Sequence, residues 1–178
     1  MPLVFAAIAP HGSLAIAEWC KPEERELAAK TRAAMEQLGR RFAAASPEVT
    51  VVLTPHNIHV ERSMAIVLAG AMAGTLERGA APISMRVPVD RDMAVTLAAS
   101  VGEAGIPIAA LSYGANDTAV AVFPMDWGIL VPLHFMGGRD EPPKPIVMIA
   151  PARDLAWDAH VTGGRAIAKA AEASGKRV

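Results

Sequence analysis

The sequence predicts a single α/β domain over residues 1–178, with a mixed, largely parallel central sheet flanked by helices. Three observations predict it. Short apolar runs alternate with longer amphipathic stretches along the whole chain. The runs are bounded by Pro or Gly, as buried strands of an α/β sheet are. Hydrophobic residues make up 52% and charged residues 20% of the chain, which is enough apolar material for a large core and argues against disorder.

Taken in order, residues 3–9 (Leu-Val-Phe-Ala-Ala-Ile-Ala) read as a buried strand broken by Pro10-His11-Gly12. Pro22 suits a first helical turn, and Glu23, Glu24 and Glu26 face the positive end of a helix dipole. Leu27, Thr31, Ala34, Met35, Leu38 and Phe42 recur at helical spacing, so a helix is expected over 22–43. Residues 49–54 form the next strand and end at Pro55-His56-Asn57. Strands are expected at 64–69 and 83–87, joined by a glycine-containing connection. Asp90 caps a helix that reaches about Glu103 and stops at Gly105. Residues 106–111 are a buried strand, 125–133 are of mixed character, and 145–149 are another strand. A last helix over 154–173 is weakened by Gly163-Gly164.

Charge and cysteine content exclude several classes. Lys plus Arg number 17 and Asp plus Glu 18, a net charge of −1 with no run of like charge, so neither nucleic acid nor an anionic membrane is an expected partner. Cys20 is the only cysteine, which rules out an intrachain disulfide and a thiolate cluster from one chain. The apolar opening run lacks a preceding basic region and is too short to span a bilayer, so a cytoplasmic location is expected.

His11 and His56 each follow an apolar run directly, and each is preceded by proline. Ligands of open α/β sheets sit at the carboxyl ends of strands, so two parallel neighbouring strands would bring both imidazoles to one rim. Neutral imidazole is a good ligand for Fe(II), Zn or Mn, and two histidines with one carboxylate leave a face open to substrate. A pair of ordinary loop histidines bonded to backbone remains the alternative. At the far end, residues 172–178 repeat the design of 103–108, a helix end followed by the start of a strand. The expectation is a truncated or split polypeptide.

Four motifs in order, Ile8-Ala9-Pro10-His11-Gly12, residues 51–57 with Thr54-Pro55-His56-Asn57, Asp126-Trp127-Gly128 with the following Ile129–Leu133 run, and Gly164-Arg165-Ala166-Ile167-Ala168, resemble the catalytic B-subunit family of class III extradiol ring-cleavage dioxygenases, which includes protocatechuate 4,5-dioxygenase and the DOPA dioxygenases. The resemblance covers essentially the whole chain. It implies a non-haem Fe(II) site with His11 and His56 at two ligand positions, a small aromatic diol and O2 as substrates, and either a homo-oligomer or association with a further subunit. It also implies that the family's glutamate ligand falls beyond Val178, outside this chain. Where the family commonly carries Asp-His-Gly, this chain has Asp126-Trp127-Gly128, and indole cannot transfer a proton although it can wall an aromatic ring.

Around the expected metal, Gly12, Ser13, Asn57, Asp126 and Trp127 are candidate pocket residues, with Gly12 allowing close backbone approach. His134 is a candidate acid/base group, and His59 a candidate partner of His56 from behind the metal. Glu61 and Asp126 are the available substitutes for the third ligand, and His160 reads as a helix-surface residue. Zinc hydrolysis, or a non-catalytic MEMO-like binding role on the same scaffold, are the competing functions.

Overall fold

The computed structural model describes residues 3–77 and 82–178. The expected α/β architecture holds, with the strands divided between two sheets. Four strands, β1 (Thr50–Leu53), β2 (Met64–Val67), β5 (Ile108–Leu111) and β7 (Ile146–Ala150), form the main sheet in the order β1-β7-β2-β5. β1 runs parallel to β7 with Thr50 opposite Ile146, and β2 runs parallel to β5 with Met64 opposite Ile108. The two halves join where β2 meets β7 antiparallel. Both central strands are buried along their whole length, which is why Met-Ala-Ile-Val and Ile-Val-Met-Ile-Ala read as unbroken apolar runs rather than alternating ones.

Four helices cover this sheet: α1 (Ala29–Ala45), α2 (Arg91–Glu103), α3 (Trp127–Phe135) and α4 (Trp157–Ala173). Alternate strand residues serve the two faces. Met64, Ile66, Val147 and Ile149 pack in one core with Leu97 of α2 and Ile167 of α4. Ala65, Val67, Ile146 and Met148 pack in the other with Met35 of α1 and Ile129, Leu130 and Leu133 of α3. Asp90 caps α2 as expected, its Oδ1 accepting from the Met93 N–H at 3.1 Å, and Gly105 ends it at φ 79°. No helix of the described residues is long and apolar enough to cross a membrane.

Several expectations are corrected. Residues 3–9 are not a buried strand: they carry no regular structure, Ile8 is fully exposed, and among the described residues their one backbone hydrogen bond runs from Val4 N to Val178 O at 2.8 Å. They lie across a groove from β1 and have no ladder partner. The helix expected over 22–43 starts later, because Pro22–Glu24 forms only a 3-10 turn before α1 begins at Ala29. The connection between β2 and β4 (Ile83–Pro88) contains a further strand, β3 (Ala71–Leu76); its stretch 78–81 lies outside the described residues. β3 pairs antiparallel with β4 and parallel with β6 (Val122–Pro124), giving a second sheet in the order β4-β3-β6. The mixed segment 125–133 is mostly α3, which carries Pro132 in its interior.

This arrangement positions one rim. β1 exits through Thr54-Pro55-His56, β6 exits through Met125 into the first turn of α3, and Pro10-His11 arrives from the irregular N-terminal segment.

Candidate metal centre

The two histidines meet. Their Nε2 atoms lie 3.3 Å apart, and the rings are edge-on, with centroids 4.7 Å apart and planes at 77°. Both side chains are partly buried, so each keeps access to the rim. At this distance one Nε2–H can donate to the other nitrogen. The geometry equally suits two ligands on one ion. At metal–nitrogen distances of about 2.0–2.1 Å, donors separated by 3.3 Å subtend an angle of roughly 105° at the metal, within the range of an open tetrahedral or distorted octahedral set.

His56 is held from several sides. Its backbone N–H donates to the hydroxyl of Thr54 at 3.3 Å, and Thr54 is the one polar residue among the described residues that is fully buried in the core. Asn57 adopts the left-handed conformation at φ 68°, which turns the chain sharply after His56, and its Nδ2 donates to Pro124 O at 2.7 Å. Arg153 donates to Pro55 O at 2.6 Å. On the open side the Trp127 indole is half-exposed and tilted against the His56 ring, with centroids 5.1 Å apart.

Gly128 and Thr54 are the site residues that sequence reasoning missed. A Cβ at Gly128 would stand 2.9 Å from His56 Cδ2, 2.9 Å from Thr54 Oγ1 and 3.1 Å from Asp126 Oδ1. The imidazole therefore lies directly on the backbone of the α3 first turn, and only glycine fits there. Gly12, expected to allow such an approach, does not: a Cβ there would meet nothing within 4 Å. Its carbonyl instead accepts from Ala15 N at 2.9 Å and opens the 3-10 turn Ser13–Ala15, which fixes Ser13 beside His11 in the chain. The signal for Gly128 was present in the Asp-Trp-Gly triplet, but its steric partner became visible only in three dimensions.

Asp126 caps α3, with Oδ1 accepting from Ile129 N at 3.3 Å. Its other oxygen, Oδ2, is buried and has no hydrogen-bond partner among the described residues. A desolvated carboxylate oxygen with unused acceptor capacity suits a cation or a hydroxyl donor. Among the described residues, however, no group of three or more His, Cys, Asp or Glu converges to hold a metal. Glu61 is exposed and does not join the pair.

The other histidines lie elsewhere. His59 is exposed, with no hydrogen bond to another described residue. His134 sits in the last turn of α3, two turns beyond Trp127, with Nε2 3.2 Å from the Arg139 guanidinium and Nδ1 buried without a partner. Burial, reinforced by the Arg139 charge and partly opposed by Glu18, holds its pKa below the ordinary histidine value. Both ring nitrogens of His160 face carbonyls, those of Ala152 and Ala156, so it ties the β7–α4 loop to the first turn of α4.

With this geometry, the family comparison has a site to refer to. Residues 5–178 match the model for the catalytic LigB subunit of aromatic ring-opening dioxygenase. The chain belongs to that family. The matched span contains His11, His56, Asp126 and Gly128. No curated protein matches the chain in sequence. The α/β domain read from the sequence is thus a LigB-type catalytic subunit by family, and the family is one of oxygenases acting on aromatic rings.

Proposed function

We propose that this chain binds Fe(II) through His11 and His56 and takes part in extradiol cleavage of a small catecholic compound by O2. The observation that carries the reading is the convergence of the two Nε2 atoms, 3.3 Å apart, at one rim of a LigB-family domain. Bound iron would supply the means for a spin-paired catecholate to react with O2. The chain's own residues do the rest of the work described here. Thr54, Asn57 and Gly128 fix the His56 ring, so that little reorganisation remains when a ligand arrives. The Trp127 indole walls the open side and offers an aromatic face for the diol ring to stack on. Asp126 caps the first turn of α3, which carries Trp127 and Gly128, and so sets the height of both against the His56 ring. A third protein ligand is proposed to come from outside this chain, since no described carboxylate joins the pair. That accords with a catalytic subunit working in association with a further polypeptide.

Trp127 also favours a second reading. An indole beside His56 cannot act as an acid or base, so a chain that binds metal and a partner without turnover would present the same rim. Metal analysis of protein purified without oxygen, together with catechol-dependent O2 uptake, separates the two. The proposal expects iron at near one equivalent in wild type, and at least a tenfold loss of iron affinity in both His11→Ala and His56→Ala with the circular dichroism spectrum unchanged. Equal iron content in wild type and variants would remove the ligand assignment. Zinc in place of iron, with ester or amide hydrolysis, would replace the reaction class. Iron retention without O2 uptake, in the presence of the family's partner subunit, would favour the binding role.

A further inference from the structure

In the sheet order β1-β7-β2, the connection from β1 to β2 has to pass over the end of β7. β1 is parallel to β7 and β2 antiparallel to it, so residues 54–63 leave the sheet where β7 ends, cross that end and re-enter at Met64. His56 lies on this arch. The loop that follows β7, residues 151–156, starts from the same end of the sheet, and its side chains reach both legs of the arch. On the β1 leg, Arg153 Nη2 donates to Pro55 O at 2.6 Å. On the β2 leg, Asp154 Oδ2 accepts from Arg62 N at 2.8 Å. Two consecutive residues thus grip the arch at its two feet.

The peptide unit between Pro55 and His56 is held at both of its polar ends. Its carbonyl takes the Arg153 bond, and its N–H donates to Thr54 Oγ1 at 3.3 Å. Because the unit is planar, two bonds on opposite sides fix the plane from which the His56 side chain projects. At the other foot, Arg62 has a left-handed φ of 55°, which is costly for a residue with a Cβ, and the Asp154 bond goes to the N–H of that same residue. Arg153 and Asp154 are themselves exposed, and such side chains hold a partner well only when their own backbone is fixed. His160 fixes it. Its Nε2 lies 2.5 Å from Ala152 O and its Nδ1 3.1 Å from Ala156 O, the residues that flank Arg153–Leu155. His160 belongs to α4, which is seated in the core through Gly163, Ala166 and Ile167.

We propose that Arg153 is a positioning residue for His56, with Asp154 as the second grip and His160 as the anchor that locks both to α4. Arg153 acts through the Pro55 carbonyl, not on the imidazole. Releasing that carbonyl lets the Pro55–His56 plane turn, and a turn there moves Nε2 by more than the roughly ±0.2 Å that a metal–ligand distance tolerates. α4 therefore controls a side chain that it does not touch, by way of a loop on a neighbouring strand. The positioning needs no metal; its consequence for metal affinity rests on the reading of His56 as a ligand.

The test has two arms on the full chain, with circular dichroism confirming the fold of each variant. In the metal-free arm, Arg153→Ala should speed amide exchange at His56 at least tenfold and shift its ring resonances, while the Thr54 amide, bonded to Ile149 O in the β1–β7 ladder, keeps its rate. Arg153→Lys, which keeps one donor for Pro55 O, should restore most of the protection. Asp154→Ala should speed exchange at Arg62. His160→Ala should reproduce the Arg153→Ala shifts, and the double variant should go no further than the stronger single one, since both lie on one path. In the second arm, anaerobic titration with Co(II) should show at least tenfold weaker binding in Arg153→Ala and His160→Ala, with Arg153→Lys close to wild type. Unmoved His56 resonances and exchange in metal-free Arg153→Ala would overturn the proposal, as would additive effects of Arg153→Ala and His160→Ala. A wild type that binds no Co(II), but whose His56 signals still move in Arg153→Ala, would remove the ligand assignment and uphold the positioning.

Discussion

Replacing Gly128 by alanine tests whether the site is set by steric fit rather than by the two histidines alone. The added Cβ would lie 2.9 Å from His56 Cδ2, whereas ordinary contact begins at 3.4 Å, so something must give by 3.4 − 2.9 = 0.5 Å. Thr54 Oγ1, also at 2.9 Å, belongs to a fully buried residue and has no space to retreat. The imidazole is the freer neighbour and should swing. Overpacking of this kind costs about 1–3 kcal/mol, and the gain in helix propensity from Gly to Ala returns up to about 1 kcal/mol. The net destabilisation is therefore roughly 0–3 kcal/mol, a fall in melting temperature of at most about 9 °C for a chain of this size. Metal binding should suffer more, because ligand distances tolerate only about ±0.2 Å and groups supporting a ligand are worth about 10–100-fold in affinity. Calorimetric titration of Fe(II) or Co(II) under anaerobic conditions reads this directly, with Gly12→Ala as the control because a Cβ there meets nothing. Unchanged affinity in Gly128→Ala alongside an unmoved His56 resonance would refute the steric argument.

Two other perturbations follow from the same structure. Asn57→Ala keeps a left-handed residue at φ 68° without a side chain suited to it, and should cost about 1–2 kcal/mol in urea unfolding. Asn57→Gly, which loses only the bond to Pro124 O, should cost less, and the reverse order would contradict the conformational argument. His134 has its folded-state pKa lowered, so the unfolded chain binds the extra proton first; stability should fall as pH drops through 6.5 toward the folded value and level off below it. His134→Gln should flatten the stability-versus-pH curve in that window, and an unchanged slope would assign the dependence to another group.

How much of this was legible in the sequence depends on what holds each element. β2 and β7 were readable because burial on both faces writes itself as a continuous apolar run. α2 was readable because its cap and stop, Asp90 and Gly105, are local. The β3 strand was not: Ala-Met-Ala-Gly-Thr-Leu has little β-branched character, Gly74 reads as a turn, and pairing with β4 and β6 is a tertiary matter. α3 was obscured by its own burial, since Gly128 to Leu133 are all in the core and no 3.6-residue period survives, while Pro132 argues against a helix. Residues 3–9 misled in the opposite direction. They have the composition of a buried strand, but composition does not supply a ladder partner, and among the described residues their backbone makes only the Val4–Val178 bond.

The same distinction divides the candidate site. A histidine after a proline at a strand end is a one-dimensional signal, and both members of the pair carried it. The groups that hold the pair are tertiary and unevenly distributed. His56 is fixed by Thr54 beneath its backbone, Gly128 against its ring, Asn57 through Pro124 and Arg153 through Pro55. Among the described residues His11 has one hydrogen-bond and ring partner, His56 itself, and hangs from a segment without ladder bonds. The rim is thus preorganised on one side only.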